Sequence, residues 1–308
     1  MSWQLRVLNP FLKTVIKPLV GLAGQPGTAR RIFDLTARLV FYRPPFSLRL
    51  EETDSTAGGR GGSWITNGSV KPRSVLLYFH GGGYIVGSPR SHQGILARLS
   101  QLSNVRVFAP NYRLAPDAGF PAQVEDAVAA WHSLHKRGYR HSDIILGGDS
   151  AGGGLALALL ALMCQAGQPP AGCICFSPWS DLSLSGKSLQ SNRKADHLLP
   201  VARIGELRDM VLQGADPTDP RASPLFASFP ECPPIFFQVS QTEILLDDTI
   251  RMADRLRHQG GVVTVDLWPD LPHVAALFQG YLPEADETLS RVGEFIRQLP
   301  DLHPEGGN

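Results

Sequence analysis

The stretch Asp143-Ile144-Ile145-Leu146-Gly147-Gly148-Asp149-Ser150-Ala151-Gly152-Gly153-Gly154-Leu155-Ala156-Leu157-Ala158-Leu159-Leu160 decides the fold. An apolar tetrad runs into a G-x-S-x-G pentapeptide, Gly148 to Gly152, and a second apolar run follows at once. The first run has the length of a buried strand and the second that of a buried helix. A serine on so tight a strand-to-helix turn takes strained backbone angles, and flanking glycines let the turn close without a clash. The Ser150 hydroxyl then projects from the sheet at the positive end of a helix, where developing negative charge is stabilised. Ser150 is the candidate nucleophile.

On both sides of this turn, from about Ser74 onward, short apolar runs alternate with amphipathic helical patterns. Strands are expected at Ser74 to Phe79, Val105 to Ala109, Asp143 to Leu146, Gly172 to Phe176, Pro234 to Ser240 and Val262 to Trp268. Helices are expected at Ser91 to Leu102, Pro121 to Lys136, from Ala151, at Leu246 to Gln259 and at Glu287 to Gln298. This is the pattern of an α/β fold, a mostly parallel central sheet flanked by helices. Residues 1–45 read as helical before Pro44-Pro45, and residues 181–225 carry one helix, marked by Ile204, Leu207 and Val211. Neither supplies strands, so each is a candidate helical cap over the carboxyl edge of the sheet. The domain reading is therefore a cap segment at 1–45 and a catalytic domain at 46–308 with a cap insertion near 181–225. Thr53 to Ser63, with its run of glycines, reads as a flexible loop.

The second motif is His80-Gly81-Gly82-Gly83-Tyr84, directly after the strand ending Leu76-Leu77-Tyr78-Phe79. Three glycines clear side chains from the loop, so the amides of Gly81, Gly82 and Gly83, with that of Ala151, are candidates for an oxyanion hole. Tyr84 is the candidate substrate-binding side chain, and His80 reads as a residue that orients the loop. No Gly-Lys-Ser/Thr follows, which excludes a phosphate-binding loop.

A serine hydroxyl needs a base to take its proton and an acid to orient that base. For a nucleophile on a strand-turn-helix, the chain order is Ser, acid, His. Only His197, His258, His273 and His303 follow Ser150. His303 lies in a polar tail, His258 in a flanking helix and His197 in the insertion. His273 follows the last strand and the turn Pro269-Asp270-Leu271-Pro272, and it is the candidate base. The acid should stand after the preceding strand, where Glu243 is nearest. Asp247 remains the alternative, although Asp247 and Asp248 also suit the start of the next helix.

Taken together, these motifs resemble the hormone-sensitive-lipase-like carboxylesterases, bacterial esterase family IV. The resemblance rests on His80 to Tyr84, Tyr112-Arg113-Leu114-Ala115-Pro116, Phe120-Pro121-Ala122 with Asp126, Gly148 to Gly153, and Ser177-Pro178-Trp179-x-Asp181. It covers about residues 74–300. It implies the α/β-hydrolase fold with an N-terminal cap, hydrolysis of short- to medium-chain acyl esters through an acyl-enzyme, and no metal or organic cofactor. It also implies that Tyr112, Arg113 and Asp126 brace the site, and it admits a homodimer through an edge strand. Where the family usually has Asp-Pro-Leu-x-Asp, this chain has Glu243-Ile244-Leu245-Leu246-Asp247, which lays the acid role on Glu243. Val274-Ala275 replace the Gly-Phe usual after the histidine. A non-catalytic receptor on the same scaffold would be expected to lack the nucleophile or the base, and both are kept here.

Composition narrows the remaining classes. The 308 residues are 43% hydrophobic and 19% charged, enough to bury a full core. Twenty-nine Lys and Arg stand against 28 Asp and Glu, mixed along the chain, so no field of one sign is expected to hold a nucleic acid or an anionic membrane. Cys164, Cys173, Cys175 and Cys232 show no metal spacing and sit in apolar settings, as buried free thiols do. Basic residues interrupt the N-terminal apolar pattern, leaving no signal-peptide core, and no run is long enough to span a membrane. A reducing cytoplasm is the expected location, and a small ester the expected partner.

Overall fold

The computed structural model describes residues 1–22, 26–41, 48–53, 61–70 and 73–299. Its centre is an eight-stranded sheet in the order β1-β2-β4-β3-β5-β6-β7-β8. The strands are β1 (Leu48–Thr53), β2 (Gly62–Asn67), β3 (Val75–Phe79), β4 (Arg106–Pro110), β5 (Ile144–Asp149), β6 (Gly172–Phe176), β7 (Ile235–Ser240) and β8 (Val263–Trp268). From β4 across to β8 all pairs are parallel. β1 pairs antiparallel with β2, and β2 antiparallel with β4.

The parallel strands read as continuous apolar runs because both of their faces are covered. In β3, Val75, Leu77 and Phe79 point into one core, which holds Val124, Ala127, Trp131 and Leu134 of α5 (Ala122–Lys136), the helix α6 (Ala151–Gln165), and Met252 and Leu256 of α9 (Leu246–His258). Leu76 and Tyr78 point into the other, with Ile95, Leu96 and Leu99 of α4 (Gln93–Ser103) and Leu289, Val292 and Ile296 of α10 (Pro283–Gln298). Thirteen of the fifteen residues of α6 are buried, so the helix behind Ser150 is anchored along nearly its whole length.

The expected strands and helices all appear, with ends shifted by a few residues. One expectation is corrected. Part of the stretch read as a loop at Thr53 to Ser63 belongs to strands, since β1 runs to Thr53 and β2 begins at Gly62. Gly62 marks a close approach, because a Cβ there would lie 2.6 Å from the Ala109 carbonyl oxygen on β4. Residues 54–60 between the two strands, and Pro44-Pro45, lie outside the described residues.

The N-terminal part forms α1 (Trp3–Phe11), a π turn (Leu12–Ile16), α2 (Lys17–Leu22) and α3 (Pro26–Val40). Leu5 and Leu12 pack with Leu271, Ala275, Phe278 and Leu282 on the segment after β8. Between β6 and β7 stand α7 (Ser188–Ser191) and α8 (Val201–Leu212). Both groups of helices thus lie near the loops that leave the carboxyl ends of the parallel strands. Among the described residues, no helix is long and apolar enough to cross a membrane.

Candidate active site

Parallel strands deliver the loops that follow them to one edge of the sheet. β5 ends at Asp149, and Ser150 takes φ 52° and ψ −123° before α6 begins. That left-handed conformation costs free energy in a residue with a Cβ, on the order of 1–3 kcal/mol, and the surroundings hold it. Ser150 N–H donates to Phe176 O at 2.8 Å, and Ser150 O accepts from Trp179 N at 2.9 Å and Gly154 N at 3.1 Å. Gly152 supplies the close approach, since a Cβ there would stand 2.1 Å from Phe79 O.

His273 arrives from the loop after β8. Its Nε2 lies 2.9 Å from Ser150 Oγ, and its Nδ1 lies 2.6 Å from Glu243 Oε2. Glu243, from the turn after β7, is fully buried. Its Oε1 accepts from Ser240 N at 2.7 Å and from Ser177 Oγ at 2.9 Å. Burial raises the Glu243 carboxyl above its ordinary value, and the hydrogen bonds from His273 and Ser240 oppose that rise without cancelling it. Burial likewise pulls the His273 imidazole down, but the Glu243 carboxylate outweighs it and leaves the ring above its ordinary 6.5.

The loop after β3 brings its amides beside the same turn. Gly82 and Gly83 have φ of 119° and 62°, values that glycine adopts freely. Among the described residues, no acceptor takes the amides of Gly82 or Gly83. Leu207 of α8 lies over this loop, its Cδ1 3.5 Å from where a Gly83 Cβ would be.

A family model described as alpha/beta hydrolase fold matches residues 76–277. An acetyl-hydrolase from Streptomyces hygroscopicus is 37% identical over 243 residues, covering 79% of this chain and 81% of that protein. An esterase from Acinetobacter venetianus is 30% identical over 299 residues, covering 96% and 97%. A crystal structure of an esterase from the bacterial hormone-sensitive lipase family superposes with a TM-score of 0.90 at 34% identity, over 97% of this chain and 99% of that one. The chain belongs to the hormone-sensitive-lipase-like esterases. It has their α/β-hydrolase fold and is a carboxylic ester hydrolase.

In this esterase the sequence-derived candidates separate into those the fold brings together and those it does not. Ser150, His273 and Glu243 meet. Gly81 departs from the oxyanion expectation, because its N–H donates to the buried Asp149 Oδ1 at 3.0 Å and is spent there. Tyr84 makes no hydrogen bond to Ser150, Glu243 or His273. Its ring lies between Tyr112 and Trp179 in the core, only 5% exposed, so the structure gives it a packing role rather than the substrate contact expected of it.

The alternative acids are committed elsewhere. Asp247 Oδ2 accepts from Lys187 N at 2.6 Å and Ser188 N at 3.1 Å. Asp248 Oδ2 accepts from Ser180 N and Asp181 N, both at 2.9 Å. They tie the start of α9 to the segment after β6. Among the other histidines, His197 Nε2 lies 2.5 Å from Asp270 Oδ1, His258 contacts its own helix at Asp254 O, and His303 lies outside the described residues. His80 orients the loop as expected, its Nδ1 2.8 Å from Gly81 O, with burial pushing it down to about 3 and so keeping it neutral. Tyr112 donates to His80 O at 2.7 Å, and Arg113 pairs with Asp126, which matches their bracing role.

Several site residues had no sequence reading of their own. Asp149 holds the oxyanion loop through Gly81 and is itself held by Tyr78 Oη at 2.9 Å and His92 Nε2 at 3.3 Å. Ser177 links Glu243 to Val274 N at 3.3 Å. Asp196, fully buried, accepts from Ile244 N at 2.9 Å and from Leu198 N and Leu199 N, which ties the stretch before α8 to the turn that carries Glu243. Asp149 and Ser177 did lie inside motifs that carried the resemblance, but a motif gives no partner. Among the described residues, no group of three or more His, Cys, Asp or Glu is arranged to hold a metal ion.

Proposed function

We propose that this esterase cleaves short- to medium-chain acyl esters through a Ser150–His273–Glu243 triad and an acyl-enzyme. The observation that carries the reading is the unbroken hydrogen-bond chain from Ser150 Oγ through both imidazole nitrogens to Glu243. Ser150 Oγ attacks the ester carbonyl as its proton passes to His273 Nε2. Glu243 stabilises the imidazolium through Nδ1–H and does not itself take the proton. The tetrahedral oxyanion receives the amides of Gly82, Gly83 and Ala151, each worth about 3–4 kcal/mol at the transition state. Collapse of the intermediate breaks the C–O bond to the alcohol, which leaves with the proton from Nε2. Water then attacks the acyl-serine, with His273 again taking and returning a proton, and the carboxylic acid is released.

The preference for short chains is supported by Leu207 standing close over the oxyanion loop and by the names of relatives, an acetyl-hydrolase and, at 33% identity over 235 residues, an ethyl acetate hydrolase of Pseudomonas putida. In the same reading, residues 1–45 and 181–225 form the cap over the acyl pocket. A fluorophosphonate probe is expected to add once, at Ser150, and p-nitrophenyl acetate and butyrate to be turned over faster than the decanoate. An adduct on another residue, or a rise in kcat/KM toward the decanoate, would overturn the assignment of the nucleophile or of the chain preference respectively.

The raised pKa of His273 sets the pH dependence. Only the neutral ring accepts the serine proton, so protonation removes activity. Because the carboxylate holds the ring above 6.5, kcat/KM is expected to fall along a one-proton limb whose midpoint lies above 6.5. A limb centred well below that value would mean that Glu243 does not act on the ring.

A further inference from the structure

We infer that the N-terminal helices of this protein dock on an anionic lipid surface through an exposed apolar stripe flanked by unpaired cations. Trp3, Val7, Phe11, Val15 and Leu19 recur at intervals of four and are 71%, 64%, 49%, 43% and 58% exposed. In an α-helix a step of four overshoots one turn, so such a series drifts around the axis. The π turn at Leu12–Ile16 takes an extra residue and counters that drift, which keeps the stripe on one side. The opposite side is apolar as well, with Leu5 and Leu12 buried against the segment after β8. The segment thus has two apolar faces, one covered by its own protein and one open. A contiguous exposed apolar patch of this kind marks an interaction site.

Charge selects the occupant. Arg6, Lys13, Lys17, Arg30 and Arg31 fall within residues 1–33, where there is no Asp or Glu, so all 28 carboxylates of the chain lie after residue 33. The near-neutral total of +1 hides this asymmetry, which the expectation of mixed charge overlooked. Lys17 is held by the carbonyls of Arg193 and Asp196, and Arg30 by Ile85 O, Ala115 O and Asp117. Arg6, Lys13 and Arg31 are exposed and have no acidic partner among the described residues. Of the acids packed near the first helix, Glu284 is engaged by Ser2 and Asp270 by His197. Arg6 and Lys13 stand on the segment that carries the aromatic and aliphatic stripe, and cations beside such a stripe fit acyl chains beneath anionic headgroups.

The position gives the contact a use. The same helix touches Asp270 through Asn9 at 3.4 Å and packs on Leu271, two residues before His273. A surface bound there would hold amphiphilic esters beside the loop that carries the base. The docking itself does not depend on the acyl chemistry, since it can be read without turnover.

The test uses phosphatidylglycerol and phosphatidylcholine vesicles with the full chain. Trp64, Trp131 and Trp179 are buried and Trp268 is half-buried in the protein's own packing, so a blue shift of tryptophan emission that is lost in Trp3→Leu reports on Trp3. The parent is expected to co-sediment with phosphatidylglycerol vesicles, with that blue shift, and not with phosphatidylcholine at equal lipid. The pairs Phe11→Glu/Val15→Glu and Arg6→Glu/Lys13→Glu are each expected to weaken binding at least tenfold while leaving the circular dichroism spectrum and thermal melt of the parent in place. Absence of binding at millimolar phosphatidylglycerol would overturn the inference, as would binding that neither pair reduces. A dimer that Phe11→Glu splits, with no vesicle binding, would assign the stripe to a second copy of the chain and overturn it as well.

Discussion

Replacing Ser150 with Ala is expected to lower kcat for p-nitrophenyl butyrate by about 10⁶-fold and to leave the fold in place. The loss is large because the hydroxyl is both the attacking atom and the group that His273 Nε2 addresses at 2.9 Å. The fold persists because the bonds that hold position 150 come from its main chain, to Phe176, Trp179 and Gly154. Alanine keeps the Cβ and so meets the same strain at φ 52° that serine does. Some rate above water should remain, about 10³-fold, since the amides of Gly82, Gly83 and Ala151 still bind a developing oxyanion. The check is steady-state turnover together with circular dichroism and a thermal melt. A variant that melts with the parent and keeps its activity would remove Ser150 from the chemistry.

The contrast between what the sequence disclosed and what it withheld has a physical basis. Parallel strands are buried on both faces, so β3, β5, β6 and β7 stand out as apolar runs whatever their neighbours are. The edge hairpin is harder to see, because Leu48–Thr53 mixes Arg49, Glu51 and Glu52 with apolar residues and the glycines before Gly62 look like loop. Ser150 and His273 were legible because a strand-turn-helix and a fixed chain order constrain them locally. Gly81, Gly82 and Gly83 are chemically identical in the sequence. Only the placement of Asp149 after a different strand reveals that one of the three amides is already engaged. The N-terminal segment read as an apolar helical pattern, but such a pattern does not say that there are two apolar faces or which of them the protein covers.

The acid is where sequence and family pattern diverge most, and Glu243→Gln tests it directly. Glu243 Oε1 accepts two hydrogen bonds, from Ser240 N and Ser177 Oγ. A glutamine in this place satisfies those donors only with its carbonyl oxygen there, which turns its NH₂ toward His273 Nδ1. The ring must then accept at Nδ1 and carry its proton on Nε2, so it can no longer take the proton of Ser150. The expected loss is about 10⁴-fold in kcat, with KM little changed, because the fault lies in tautomer and charge rather than in substrate contact. The acidic limb should also move to lower pH, since the carboxylate that raises the ring's pKa is gone. Asp247→Asn is the matched control: Asp247 accepts from Lys187 N and Ser188 N, bonds that the asparagine carbonyl can still receive, so its kcat should stay within about threefold. If Asp247→Asn instead removed activity while Glu243→Gln kept it, the acid would sit at the other end of the Glu-Ile-Leu-Leu-Asp segment and the loop would have to rearrange to reach His273.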